Sequence, residues 1–421
     1  MPKAKQLMRV NGETETSLAD VRPFLCRRPV ADLASEVAAL PYDVFTRKEA
    51  AAEIDQHPNS FLRIDRSCAL LPAEVDEFDA QAYEKAAELY TADVQAGVFL
   101  DEDKEYYYLY RLTQDGRAQT GIVSRIAVED FHNGVIKRHE NTRDFKLEDR
   151  VCHIEALNAQ TGLVFVAYRV QAALGALIEQ LCATTVPLYD FSTSDGVGHT
   201  VWRVDDKNAE ELIRTSFERI DALYIADGHH RAAAAAKVAA KTEAEEASFL
   251  IAAFATDQLR IFEYNRVLFD TNGLSPEELL ERIAGSFDIE KIGINPQKPS
   301  RRGEFALYLD EQWYLLSVHE ELRPDDPVDG LDVTLLYDLI LQPILGVGDP
   351  SQSKRIAHVG GVRGLEELKS RASEYENGIS FALYPCSLEE FFAVADAGLL
   401  MPPKSTWFEP KLRSGLFIHR I

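Results

Sequence analysis

Between Ala222 and Lys241 the chain changes character twice, and this stretch constrains the fold more than any other. Ala222-Leu223-Tyr224-Ile225-Ala226 is a short apolar run, Asp227-Gly228-His229-His230-Arg231 is polar and pivots on a glycine, and Ala232 to Lys241 is mostly alanine. The succession reads as strand, sharp turn and helix. A chain built on such a unit is predicted to be an α/β protein of mixed α+β type, in which helices cover a sheet.

The turn also carries chemistry. Gly228 lets the backbone bend and come close to a ligand, and a helix starting near Ala232 presents unpaired N–H groups to an anion. Arg231 adds a forked cation able to hold two phosphate oxygens, while Asp227 can orient a histidine or accept from a hydroxyl. His229 and His230 are adjacent, so one can face a pocket while the other packs or caps. A plainer alternative makes Asp227 an N-cap and leaves both histidines on the surface. Two histidines and an arginine ahead of a bare alanine helix favour the anion reading, because no packing need explains them. A metal centre is disfavoured: neighbouring histidines do not readily chelate one ion, and no acidic ligand spacing accompanies them.

The 421 residues are 46% hydrophobic, enough for a large core, and a chain this long usually divides into packed domains. We expect one lobe over 17–270, a second α/β lobe over 271–400, and a C-terminal segment, 401–421, that returns to the site. Lys+Arg number 45 against 69 Asp+Glu, and the net charge of -24 has the wrong sign for neutralising a nucleic-acid backbone. A small anion remains compatible, since it needs only local donors and one or two cations in a concave site. Cys26, Cys68, Cys152, Cys182 and Cys386 are scattered, never spaced C-x-x-C, and read as buried free thiols. Met1 to Arg9 lack an apolar h-region and no run approaches the roughly 20 apolar residues of a membrane span, so a cytoplasmic protein without a membrane partner is expected. Composition leaves a homo-oligomer open.

After a polar leader ending near Asp20, a helix is predicted from Asp32 to Leu40, stopped by Pro41-Tyr42-Asp43-Val44, a segment that can also wall a pocket. Thr46 with Glu49 three residues on is a capping box for a helix from Arg47 to Gln56. Another helix is predicted from Glu74 to Ala96. Asp115-Gly116 between two apolar runs predicts a tight hairpin. Glu140 lies among Lys137, Arg138, His139 and Arg143, whose charges favour an ionised carboxylate able to take a hydroxyl proton, although a solvated charged loop explains the same residues. Glu148-Asp149-Arg150 can line the site or serve as helix-start acids paired with a surface arginine, and the second reading is slightly favoured. Tyr264-Asn265-Arg266 reads as a hairpin turn between two strands. The tail from Met401 to Pro410 is rich in proline and hydroxyls, which predicts docking rather than fraying.

Tyr224-Ile225-Ala226-Asp227-Gly228-His229-His230-Arg231 resembles the signature of the DUF1015 family, of the wider ParB/sulfiredoxin-like superfamily, in which a Gly-x-x-Arg turn binds nucleotide phosphates. Pro41-Tyr42-Asp43-Val44, His139-Glu140-x-Thr142, Glu148-Asp149-Arg150, Tyr264-Asn265-Arg266 and Pro403-Lys404-Ser405-Thr406 look like further family motifs, in family order. The resemblance implies a ParB/sulfiredoxin-like nucleotide-binding core. The family is similar to the free serine kinases, which transfer a phosphoryl group from ADP or ATP to L-serine. Carried over, Glu140 is the base, His139 and His230 join it as catalytic residues, Asp227, Gly228, His229, His230 and Arg231 form the phosphate cradle, and Lys404, Ser405 and Thr406 belong to the amino-acid or phosphate site. Ser405 stands where the kinases carry threonine, which keeps a hydroxyl, and the interval from Glu140 to Asp227 is longer than in the compact kinases. The implied cofactors are ADP or ATP with Mg²⁺, and the implied acceptor is serine or a similar hydroxylated metabolite. A cradle, one carboxylate and one lysine suffice for phosphoryl transfer, which needs mainly positioning and charge neutralisation. The other functions compatible with the motifs are a nucleotide-binding regulator without catalysis and a phosphohydrolase or phosphotransferase on another small substrate.

Overall fold

Asp115 and Gly116 both take positive φ, 52° and 75°, and so fold strand Tyr107–Gln114 back onto Arg117–Ala127 in the predicted hairpin. These assignments come from a computed structural model that describes residues 18–242, 246–350 and 352–421; the polar leader lies outside the described residues up to position 17. The chain is a mixed α/β protein, and it divides into two compact units. The first comprises Met1–Lys137, Thr142–Leu259 and Pro410–Ile421, and the second Arg138–Asn141 with Arg260–Glu409.

In the first unit the hairpin sits inside a nine-stranded mixed sheet. From one edge the order is Ile136–Lys137, Leu223–Asp227, Val164–Tyr168, Ser248–Ala255, then the hairpin, Gly198–Val204 and Tyr189–Ser192, with Val21–Arg22 added beside Arg117–Ala127. Val164–Tyr168 and Ser248–Ala255 pair in parallel and are buried along almost their whole length, which is why they read as unbroken apolar runs. Leu223–Asp227 runs antiparallel to Val164–Tyr168, and its register slips between Ile225 and Asp227. Such an irregularity re-aims the strand end just before the glycine turn.

Several expectations are corrected. The signature helix spans His229–Thr242, so both histidines form its first turn and the helix does not wait for Ala232. Alanine marked the helix interior; first-turn N–H groups have no intrahelical partner, so polar side chains are tolerated there. Glu148-Asp149-Arg150 is no helix start, because the helix spans Asp144–Leu157 and buries Asp149 and Arg150. Tyr264-Asn265-Arg266 is no turn: all three begin strand Tyr264–Leu268, where Asn265 is fully buried and its Oδ1 accepts from the Leu383 amide at 3.0 Å. The helix expected from Asp32 to Leu40 shrinks to a 3₁₀ turn and Ala34–Val37, since the Val37 carbonyl accepts from Phe61 and Ala39 pairs with Ser414. The helix expected from Glu74 begins at Ala80, where Asp79 caps the Gln81 amide. The Thr46/Glu49 capping box forms as predicted.

The second unit is built on a six-stranded antiparallel sheet ordered Phe287–Gly293, Gln312–Val318, Glu304–Leu309, Ile379–Leu383, Tyr264–Leu268 and Ile356–Gly360. Helices Pro276–Ile283 and Leu388–Asp396 start from capping boxes at Ser275/Glu278 and Ser387/Glu390. All five cysteines are free thiols; Cys26 and Cys68 are buried, whereas the other three are only partly so. Among the described residues no helix is long and apolar enough to cross a membrane.

The last twelve residues anchor within the first unit. Strand Ile418–Arg420 completes a small sheet with Cys26–Pro29 and Ala159–Gln160. Arg413, 5% exposed, pairs with Asp195 and donates to Thr193 Oγ1 at 3.1 Å and to His199 Nε2 at 3.3 Å. The His199 proton therefore sits on Nδ1, 2.8 Å from the Tyr110 hydroxyl, and burial with the Arg413 charge lowers the imidazole pKa to about 3. We predict that Arg413→Met lowers the unfolding free energy by about 1.5–3 kcal/mol, the worth of a hydrogen-bonded buried charge, in urea denaturation at neutral pH.

Candidate functional site

The signature turn is held by charge on one side and clearance on the other. Asp227 ends its strand with Lys411 Nζ at 3.3 Å and Arg231 Nη2 at 3.7 Å. Burial alone would raise the Asp227 pKa, but the Lys411 and Arg231 charges hold it well below the usual carboxylate range. Gly228 has φ +94°, and a Cβ there would meet Arg231 Nε at 2.8 Å. A Cβ on Gly162 would stand 3.1 Å from Arg231 Cδ. The two glycines thus make the channel in which the Arg231 side chain lies, with Nη1 donating to the Leu163 carbonyl at 2.5 Å. His229 is buried, and His230 Nε2 accepts from the Arg143 amide at 3.0 Å, capping the Asp144–Leu157 helix.

Arg231 lines a small cavity whose other walls include Tyr42, Asp65, Arg150, His153 and Thr161. Arg150 is 7% exposed, and its guanidinium lies 3.8 Å from the Tyr42 ring centroid. Its Nε and Nη2 both reach Asp149 Oδ2 at 2.7 Å, while Nη1 makes no hydrogen bond among the described residues. Burial works against the Arg150 charge, and Asp149 and Tyr42 more than compensate, so its pKa rises. Opposite, Asp65 Oδ1 accepts from Thr161 Oγ1 at 3.1 Å and lies 3.6 Å from His153 Nε2. Burial and the Arg150 charge lower the His153 pKa, so that imidazole stays neutral. The lining therefore holds two guanidinium groups against one carboxylate. Two such forks facing one narrow cavity supply the donors and charge that a phosphoryl or carboxylate group requires.

The remaining predicted residues belong to the second unit. His139 is buried, with Nε2 3.3 Å from Thr406 Oγ1, its ring edge-on to Phe391 at 4.7 Å, and its carbonyl accepting from the Met401 amide at 2.7 Å. Glu140 is partly exposed. Lys404 has a left-handed φ of 64°, and its carbonyl accepts from Arg266 Nη2 at 3.1 Å. Arg266 is 4% exposed, donates only to main-chain carbonyls, and is pushed down to about 10 by burial. Ser405 donates its hydroxyl to the Pro402 carbonyl at 2.6 Å. The structure thus gathers Asp227, Gly228, His229, His230 and Arg231 in one unit, and His139, Glu140, Lys404, Ser405 and Thr406 in the other.

A family profile described as a protein of unknown function, DUF1015, matches residues 21–334. The chain belongs to the DUF1015 family. No curated protein sequence matches it. Among solved structures, this DUF1015 protein is similar to a free serine kinase in complex with AMP, at 15% identity and TM-score 0.33, over 69% of this chain and 91% of the kinase. It is also similar to C-terminally truncated SbnI from Staphylococcus aureus, at 12% identity and TM-score 0.37, over 70% and 85%. A conserved hypothetical protein from Pyrococcus furiosus matches at 16% identity and TM-score 0.34, over 70% and 94%.

Within the DUF1015 signature, sequence reasoning found Arg231 but took Arg150 for a surface residue and missed Asp65, His153, Thr161 and Lys411. The i, i+3 spacing of Arg150 and His153 on one helix was an available signal; Lys411 carried none. Removing Lys411 tests the electrostatics of the turn. In Lys411→Met we expect the Asp227 carboxyl to titrate at least about 1 pH unit higher, as read by NMR, because an opposite charge within reach is lost. A depressed carboxylate stabilises the fold above its ordinary pKa and loses that contribution as pH falls through the folded value, so acid unfolding should move to higher pH in the variant.

Proposed function

We propose that this DUF1015 protein is a nucleotide-dependent phosphotransferase acting on a small hydroxylated metabolite, with free L-serine as acceptor and ADP or ATP as donor. The observation that carries the reading is the pairing of Arg150 and Arg231 on one cavity, with Arg150 Nη1 left to meet a ligand. Phosphoryl transfer asks a protein chiefly for prepositioned positive charge, and two fixed guanidinium groups provide it without reorganisation at the moment of reaction. The motif resemblance supports the same reading, with Glu140 as the base and Lys404 and Thr406 as further contacts to the substrates.

Mg²⁺ fits this cavity in a limited way. Asp65 is its one carboxylate, so a Mg²⁺ ion arriving with the phosphates would have one protein ligand and would neutralise charge on the transferred group. His153, kept neutral, adds no competing positive charge beside Asp65.

Incubation of the protein with L-serine and ADP or ATP, followed by mass spectrometry for phosphoserine, tests the assignment. We expect product with at least one donor, none with Glu140→Gln, and at least roughly tenfold less with Arg231→Met, the loss of one charged hydrogen-bonding partner worth about 1.5–3 kcal/mol. Nucleotide binding without phosphoserine would reject the serine acceptor. Failure to bind either nucleotide would reject the whole reading.

A further inference from the structure

Strand Tyr264–Leu268 carries a buried cation whose acceptors include no carboxylate. Arg266 Nη1 donates to the Tyr264 carbonyl at 2.6 Å and, at a longer 3.5 Å, to that of Asn265, while Nη2 donates to the Lys404 carbonyl at 3.1 Å, 138 residues further along the chain. Taking a guanidinium out of water without an opposite charge is unfavourable, and methionine or leucine would fill the same place in the core without that penalty. What the planar fork alone provides is a set of donors in fixed directions, able to tie a strand to a distant loop.

The loop is strained where it is tied. Lys404 takes a left-handed φ of 64°, a conformation that a Cβ disfavours and that persists only where neighbours impose it. The Arg266 bond is made to the carbonyl of this same residue, and the Lys404 Nζ lies 5.4 Å from the centroid of the Tyr264 ring. Trp407 packs edge-on against that ring at 4.9 Å, in space that a Cβ on Gly360 would invade. Asn265 fixes the strand itself, its Oδ1 accepting from the Leu383 amide at 3.0 Å. Tyr264, Asn265 and Arg266 thus act together as a platform for the loop that carries Lys404.

We propose that Arg266 is a positioning residue of the phosphotransfer site and acts through Lys404. The inference rests on the phosphotransferase reading, in which Lys404 brings positive charge to the substrates. A lysine on a loose loop spreads its charge over many backbone and side-chain states. Fixing the backbone leaves only the side chain to settle, and electrostatic stabilisation is greatest when the charge needs no reorganisation.

Two measurements on the full chain test this. Trypsin cleaves the Lys404–Ser405 bond by attack on the carbonyl that Arg266 holds, so cleavage there should be at least about tenfold faster in Arg266→Met, with cleavage after Lys241 unchanged, as read by mass spectrometry of the fragments. Unchanged cleavage after Lys404 overturns the proposal whatever the activity. In phosphoserine formation, Arg266→Met and Lys404→Met should each lower kcat at least about tenfold, and the double variant should be no slower than Lys404→Met, because residues acting through one contact give non-additive losses. Losses that multiply in the double variant, or a wild-type kcat in Arg266→Met, overturn the proposal. A brace serving stability alone predicts such multiplication. Absence of phosphoserine in the wild type rejects the phosphotransferase reading instead, and the cleavage result alone then decides whether Arg266 fixes Lys404. Should Arg266→Met not fold, Arg266→Lys, which keeps the charge and loses the fork, takes its place in both measurements.

Discussion

The placement of Arg231 governs the local architecture of the first unit. Its side chain runs back across Gly228 and along Gly162, so neither position tolerates a Cβ without displacing it. The strand end slips register before it, and Asp227 is held beside it by Lys411 from the last twelve residues. Those residues are themselves pinned by Arg413 to His199 on strand Gly198–Val204 and to Asp195 in the turn that links it to Tyr189–Ser192. A surface cation would need none of this support, whereas a guanidinium meant to face a cavity in one orientation needs its rotamer fixed by its neighbours.

Charge within the first-unit cavity is arranged with similar economy. Arg150 is a nearly buried cation, tolerable because Asp149 neutralises one edge and Tyr42 covers its face. The other edge meets the cavity. A buried ion pair is weak evidence for stability, since the desolvation of two charges offsets much of their attraction. That makes a ligand-directed purpose the better physical explanation for Arg150. His153, three residues on, is kept neutral by burial and by Arg150, so the positive charge at the cavity remains with the two arginines.

Much of this was legible in the sequence where short-range rules apply. The hairpin at Asp115-Gly116, the capping box at Thr46, and the strand, glycine and helix of the signature follow from turn and capping chemistry that acts within a few residues. What escaped depends on pairing across long separations. Arg150 reads as a surface arginine until Tyr42, more than a hundred residues earlier, is seen to cover it. Asn265 reads as a turn residue until Leu383 is seen to donate to its side chain from the neighbouring strand. Ala39 would prolong a helix were it not paired with Ser414. Tertiary hydrogen bonds outweigh local preference in each case.

The segments that resemble family motifs are brought together in space as well as ordered along the chain. Pro41-Tyr42-Asp43-Val44, Glu148-Asp149-Arg150 and the Asp227 to Arg231 turn are far apart in the chain, yet Tyr42, Arg150 and Arg231 line a single cavity. The account rests on that cavity receiving a phosphate group. Calorimetric titration of pyrophosphate into the wild type and into Arg150→Met tests it most directly, because Arg150 takes no part in the signature turn. The account predicts saturable binding that falls at least roughly tenfold in the variant, the equivalent of about 1.4 kcal/mol. Equal affinity in a folded Arg150→Met, or no binding in the wild type, would contradict it.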